Sequence, residues 1–435
     1  MTSGATFLTG ASGRLLPFWI PFRFFGAAVA FHLVAWLAAL AGAETLPSFG
    51  GGLGWPLAAL HAVTLGVLAM TAIGASLQLF PVATRRPIAH ARFIGAVFWT
   101  YVPGVAAIVA GMGWPSTALL GAGALAVAVA LAGFVALFAL NLSGGRGMPL
   151  VVAHGAVAAG SLAATLVIAL GLVGAYAADF GFRVDRTMLV PLHVALAGYG
   201  FMGMLALGLS YVLVPMFAIA DAPPAHRGWA SFALATGALV LGVVASLGVL
   251  PGVLGVAAAG LGAVAAILHV QLMREAIAGG LRRELGTGFR LIRHAWIALV
   301  ASLVLALGLA LEWPWPRLAT LFGATLIAGW LLSFVLGVLQ RIVPFLASMH
   351  AARGRRRPPT PSSLTDERSL RAHLLLHLAA LGLLALAIVV DSDMLARAAC
   401  VAGAAGACVY AVFFVRAVGA ARAASGANGA PQAAP

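Results

Sequence analysis

The sequence predicts an all-α integral membrane protein with twelve transmembrane helices in three pseudosymmetric four-helix repeats. Three observations carry that expectation. Of the 435 residues, 63% are hydrophobic and only 8% are charged, against about 25% charged in a soluble domain. Between clusters of Gly, Pro and Arg the chain holds twelve apolar runs, each near the ~20 residues that a helix needs to cross a bilayer. One Gly–Gly–Pro pattern recurs in the second helix of each set of four.

The runs give twelve spans, each helical because lipid offers no water to an open backbone. They are α1 (18–42), α2 (55–82), α3 (93–112), α4 (117–141), α5 (150–177), α6 (187–219), α7 (229–250), α8 (252–274), α9 (291–312), α10 (318–347), α11 (371–390) and α12 (394–416). Residues 1–17 read as an N-terminal tail and 18–416 as one membrane domain, with repeats at about 18–141, 150–274 and 291–416. A basic, proline-bearing linker covers 350–369, and the Ala-, Gly- and Ser-rich stretch 417–435 reads as disordered.

All 25 basic residues are arginines, against 11 acidic ones, a net charge of +14. Such a balance raises the question of nucleic acid, but the arginines lie between apolar spans. Their partners are then the bilayer and its anionic headgroups, with no nucleic acid. If the N-terminus is inside, inner segments hold 21 arginines, among them Arg85, Arg86, Arg282, Arg283, Arg353, Arg355, Arg356 and Arg357. Outer segments hold Arg183, Arg186, Arg317 and Arg397. The positive-inside rule therefore puts both termini in the cytoplasm of a cell inner membrane. The first apolar run follows Arg14 and Arg23 and is long enough to span, so no cleavable signal peptide is expected. Cys400 and Cys408 form no redox or metal motif.

The repeat is Gly, seven residues, Gly, six residues, Pro: Gly66, Gly74 and Pro81 in α2, Gly200, Gly208 and Pro215 in α6, Gly329, Gly337 and Pro344 in α10. Glycines eight apart share one helix face and clear a stripe on which another helix, or a flat cofactor, approaches the backbone. The prolines are expected to end their helices at the cytoplasmic border.

The segments LHAVTLGVLAMTAIGASLQLFPV, LHVALAGYGFMGMLALGLSYVLVPMF and LFGATLIAGWLLSFVLGVLQRIVPF resemble helices II, VI and X of subunit I of the heme–copper oxidases, in a branch lacking the full metal set. The opening PFRFFGAAVAFHLVAWL is similar to that of the NnrS membrane proteins of nitric oxide stress. The resemblance covers most of the chain in topology and three helices in motif. It implies a b-type heme, electron transfer or response to a diatomic gas, and a quinol or cytochrome as partner. It also implies what is missing. The family's copper takes a His on helix VI, with a Tyr four residues on, and a His pair on helix VII. Here position 197 is Ala and the α7 span has no histidine, so no copper site of the usual type and no oxygen reduction are expected. Helix α10 likewise lacks the family's heme-ligating histidines.

All eleven acidic residues fall in loops or helix ends, which removes the intramembrane carboxylates that proton relays and ion-coupled transporters use. Histidine remains, an ordinary axial ligand of heme iron. His61 and His193 each open a helix that bears the glycine stripe, at matching depth. They are the expected ligand pair, with His32 in reserve and Gly66, Gly74, Gly200 and Gly208 as the face for the porphyrin. His154, His269, His294, His373 and His377 fall at inner helix ends, the last two on an interfacial, solvated face; His90, His226 and His350 fall in cytoplasmic loops. Trp330 is expected in the core or at a porphyrin edge. Two further readings stand beside heme-based electron transfer: an NnrS-like protein of nitric oxide stress or heme and copper handling, and a permease without cofactor.

Overall fold

The structure, a computed structural model, describes residues 16–145, 147–176, 185–282, 284–351 and 360–426. Twelve helices in it are long and apolar enough to cross a membrane: α1 (Trp19–Ala41), α2 (Trp55–Thr84), α3 (Ala91–Gly113), α4 (Thr117–Leu142), α5 (Pro149–Gly174), α6 (Arg186–Ala218), α7 (Ala225–Ser246), α8 (Pro251–Gly279), α9 (Gly286–Ala310), α10 (Leu318–Met349), α11 (Glu367–Val390) and α12 (Asp393–Ala420). No strand occurs among the described residues. The chain is an all-helical, multi-pass membrane protein, and its lipid-facing helix surfaces make the bilayer its solvent.

The ends of these helices follow local chemistry. Asp185 caps α6 by accepting from the Thr187 amide at 2.9 Å, and Asp366 caps α11 by accepting from the Ser369 amide at 3.3 Å, as N-caps do. Pro56, Pro149 and Pro251 sit in first turns, where no N–H is missed. Pro81, Pro215 and Pro344 do not end their helices as expected. Each lies inside the last turns, and the chain stays helical to Thr84, Ala218 and Met349: a proline's fixed φ is itself helical, and its missing N–H and ring clash burden the turn before it rather than the residues after it.

Other boundaries moved too. α11 begins at Glu367, four residues before the expected start, and α7 begins at Ala225, which brings the exposed His226 into its first turn. The last helix continues to Gly426, so 417–426 is helix where a disordered tail was expected. Among the described residues of the linker, Pro361–Leu364 form a short 3-10 turn. Asp179, Arg183, Arg283, Arg353, Arg355, Arg356 and Arg357 lie outside the described residues, as do most of the N-terminal tail and 427–435.

Packing places α2, α6 and α10 at the centre. α2 packs on α1, α6 on α5 and α10 on α9; hairpins α3–α4, α7–α8 and α11–α12 flank these pairs; contacts α4–α5, α8–α9 and α12–α1 close the ring. The three central helices meet where Thr71 and Ala72, Leu205 and Leu209, and Phe334 and Val335 line a small apolar void.

Each central helix also widens into a π-helical segment: Ala62–Ala69 in α2, Ala195–Gly203 in α6 and Thr325–Leu332 in α10. Each segment contains the first glycine of the repeated pattern. π-helix leaves some carbonyls poorly matched and is frequent at functional sites. Here side chains supply extra donors: the Tyr101 hydroxyl to Leu65 O at 3.0 Å and the Ser333 hydroxyl to Ala328 O at 3.1 Å.

Candidate functional site

The glycine stripes turn toward neighbouring helices. A Cβ on Gly66 would lie 2.5 Å from the ring of Phe31 in α1, and one on Gly74 would lie 3.0 Å from Phe24 and Phe25. In α6, Gly200 faces Ser161 and Gly208 faces His154, both at 2.5 Å from such a Cβ, on α5. In α10, Gly329 faces Ala298 at 3.2 Å and Gly337 faces the Gly288 carbonyl at 2.7 Å, on α9. The stripe therefore docks each central helix against the helix before it, the small-residue packing common in membranes. Gly66, Gly74, Gly200 and Gly208 are corrected accordingly: side chains of α1 and α5 occupy the face that was read as open to a porphyrin.

Beside this packing, a cavity of about 1150 Å³ occupies the end of the bundle nearest residues 50–52 and 246–248, lined by residues of α1 to α11 and mostly apolar. His61 and His193 both line it, as do Tyr199, Phe322 and Trp330. Both imidazoles are half-buried. Nδ1 of His61 is 3.0 Å from the carbonyl oxygen of Leu57. Because a carbonyl only accepts, that nitrogen carries the proton, and Nε2 is left as a lone pair for a ligand. Metal-binding histidines are commonly oriented this way. Nδ1 of His193 is buried without a protein partner.

His61 and His193 each end an ordinary α-helical stretch directly before, or one residue before, the π-helical segment. Behind them, Tyr199 places its hydroxyl 3.0 Å from Ser302 and its ring 5.6 Å from Trp330. Trp330 in turn fills the space over Gly203, where a Cβ would stand 3.0 Å away, so it is both core residue and cavity wall. At the mouth, the Arg186 guanidinium stacks 4.1 Å over Tyr176. The Thr187 hydroxyl, 2.6 Å from the Asp185 carboxylate, holds that carboxyl below its ordinary range.

His32 is not brought to this cavity. Its ring lies 6.2 Å from those of His373 and Tyr410, and its Nε2 accepts from the Trp36 indole at 3.2 Å. His373 and His377 are correspondingly buried, at 0% and 2% exposure, rather than solvated. The reason is the early start of α11, which sets them two and three turns inside the helix, where Gln340 and Ser333 of α10 meet them at 3.1 and 2.9 Å. A further buried group joins His154, Tyr211 and His269, with ring spacings of 5.7 and 5.2 Å. Neither group was legible as such, since its members come from three or four helices. Among the described residues, no set of three or more His, Cys, Asp or Glu side chains has the geometry of a metal site.

The cavity thus offers a mostly apolar lining and two imidazoles, one from α2 and one from α6. No protein-family model matches the chain, and no curated protein does.

Proposed function

We propose that the cavity holds a b-type heme, with His61 as an axial ligand and His193 as its preferred partner. The protein is then a membrane-embedded heme protein of the heme–copper oxidase subunit I kind, serving electron transfer or the response to a diatomic gas. One observation carries this reading: two half-buried imidazoles line one large apolar cavity, and one already has its Nδ1 committed to a carbonyl. A bound heme supplies one-electron chemistry or an iron for a diatomic ligand. The chain's own part is to present Nε2 of His61, to wall the site with Tyr199 and Trp330, and to exclude water with apolar side chains.

The same reading takes the fold as three repeats, α1–α4, α5–α8 and α9–α12. Equivalent helix contacts, equivalent glycines and three π-helical segments at one position support it. The arginine-rich face, with both termini, is cytoplasmic, and a quinol or a cytochrome is the expected redox partner. No copper site belongs to the proposal: one turn beyond His193 stands Ala197, and His226 of α7 is an exposed first-turn residue.

The test is the visible spectrum of washed, detergent-purified protein and of its variants. Wild type should show a reducible Soret and α band. His61→Ala should lose most of the heme, while His90→Ala, in a connector, should retain it. Full heme in His61→Ala would remove the assignment.

The size of the cavity favours one second reading. About 1150 Å³ exceeds the range of roughly 300–1,000 Å³ usual for small-molecule sites, and an apolar molecule entering from that end of the bundle would be the cargo of a permease. A colourless, folded preparation supports that reading. An NnrS-like role in nitric oxide stress instead keeps the heme and predicts a shift of the reduced spectrum with nitric oxide.

A further inference from the structure

A second polar centre lies in the interior, apart from the cavity, where α1, α10, α11 and α12 meet. His32, His373, Gln340 and Tyr410 are each at most 1% exposed. The indole of Trp36 is only a donor, so Nε2 of His32 accepts from it. Nδ1 of His32 therefore carries the proton, and it has no protein acceptor. The side-chain amide of Gln340 engages Nδ1 of His373. Whichever way that amide is turned, Nε2 of His373 and the other amide atom stay unpartnered, as does the Tyr410 hydroxyl.

Four unpartnered polar atoms thus belong to one cluster: three are on rings whose centroids stand 4.9–6.2 Å apart, and the fourth is on the Gln340 amide that engages one of those rings. They include an obligate donor and groups able to accept, yet none pairs with another directly. Buried polar groups in this state are costly in an apolar medium and nearly always find a partner. Water, with two donors and two acceptors, is the small molecule that satisfies such a set. We infer that His32, His373, Gln340 and Tyr410 form a water-binding site in the membrane interior. The bound water hydrogen-bonds α1 to α10, α11 and α12 and so joins the two ends of the chain. The cluster's other imidazole, His377, donates from Nε2 to the Ser333 hydroxyl, which itself donates to Ala328 O, and needs no such bridge.

X-ray radiolytic footprinting of the full chain in nanodiscs, in water enriched in oxygen-18, tests this. Radicals formed from a bound water label the side chains beside it, even where bulk solvent has no access. Tyr101 is the internal control, since it is equally buried but its hydroxyl donates to Leu65 O. The label should enter Tyr410 and His373 at least fivefold faster than Tyr101. Equal rates at Tyr410 and Tyr101 would overturn the inference. Tyr410→Phe gives an independent reading by its sign. With a bound water it removes a partner and lowers the melting temperature, whereas in a dry site it removes an unpartnered hydroxyl, raises the melting temperature and contradicts the proposal.

Discussion

Phe31 of α1 lies against Gly66 of α2 so closely that a Cβ on Gly66 would fall 2.5 Å from its ring. The Phe31 Cβ would itself be 2.6 Å away, and no rotamer change moves that atom. Gly66→Ala should therefore cost about 1–3 kcal/mol, the usual effect of overpacking, and lower the melting temperature in detergent. Gly121, on α4, has open space where its Cβ would be. Gly121→Ala should be neutral or slightly stabilising, because alanine is the better helix former. Equal behaviour of the two variants in a thermal unfolding assay would show that the stripe does not pack helices.

Asp366 ties α11 to the following helix. Its carboxylate accepts from the Ser369 hydroxyl at 2.8 Å and from the Ser369 amide, and it pairs with Arg416 of α12. The Ser369 hydroxyl first, then Arg416, holds this carboxyl below the usual range. A depressed folded value means that the stabilisation is complete above the unfolded pKa of about 3.9 and is lost as pH falls through the lower folded value. Acid unfolding should therefore begin at a higher pH in Ser369→Ala than in wild type. Asp366→Ala should cost about 1 kcal/mol at neutral pH through loss of the cap, whereas Asp366→Asn should keep most of it.

Ile219, at the end of α6, has φ 54° and ψ 54°, a left-handed conformation that is costly for any side chain and most of all for a β-branched one. It is 45% exposed, so little burial is lost on truncation. Ile219→Gly should raise stability by about 1 kcal/mol, the left-handed cost of 1–2 kcal/mol less the entropy a glycine adds to the unfolded chain. Arg85 ends α2 in the same conformation, and Arg85→Gly should gain less, since arginine is not β-branched. A melting temperature unchanged or lowered in Ile219→Gly would contradict the strain.

These residues show which levels of structure a sequence carries. Apolar length and arginine placement are local properties, and the twelve spans followed from them with ends correct to within about five residues, except that the last helix runs ten residues further, to Gly426. The Gly–Gly–Pro pattern marked the three central helices, because a stripe of glycines is visible in one helix alone. What lies opposite the stripe is not. Phe31, Ser161 and His154 come from the preceding helices, and no periodicity within α2 or α6 announces them. The π-helical segments also leave no mark in composition. They matter because they change the register between His61 or His193 and the residues that follow. His373 and His377 were misplaced for a simpler reason: polar Glu367, Arg368 and Ser369 disguise the first turn of α11, so the helix was expected to begin at Arg371, four residues late.

Ala197 gives the sharpest separation between the cavity and the other histidine groups. It lines the cavity one turn beyond His193, on the same side of α6. A phenylalanine there would take up volume of the apolar cavity that Ala197 and His193 both line. Filling an apolar cavity is neutral or stabilising for the fold, so the melting temperature of Ala197→Phe should be unchanged or slightly higher. A heme held between His61 and His193 would lose its place, and the heme-to-protein ratio should fall at least tenfold. If the iron were instead bound by His154, His269 or the His32–His373 group, the ratio and the reduced spectrum would stay at wild-type values. The pair of readouts distinguishes the outcomes, because loss of heme through misfolding would lower the melting temperature as well.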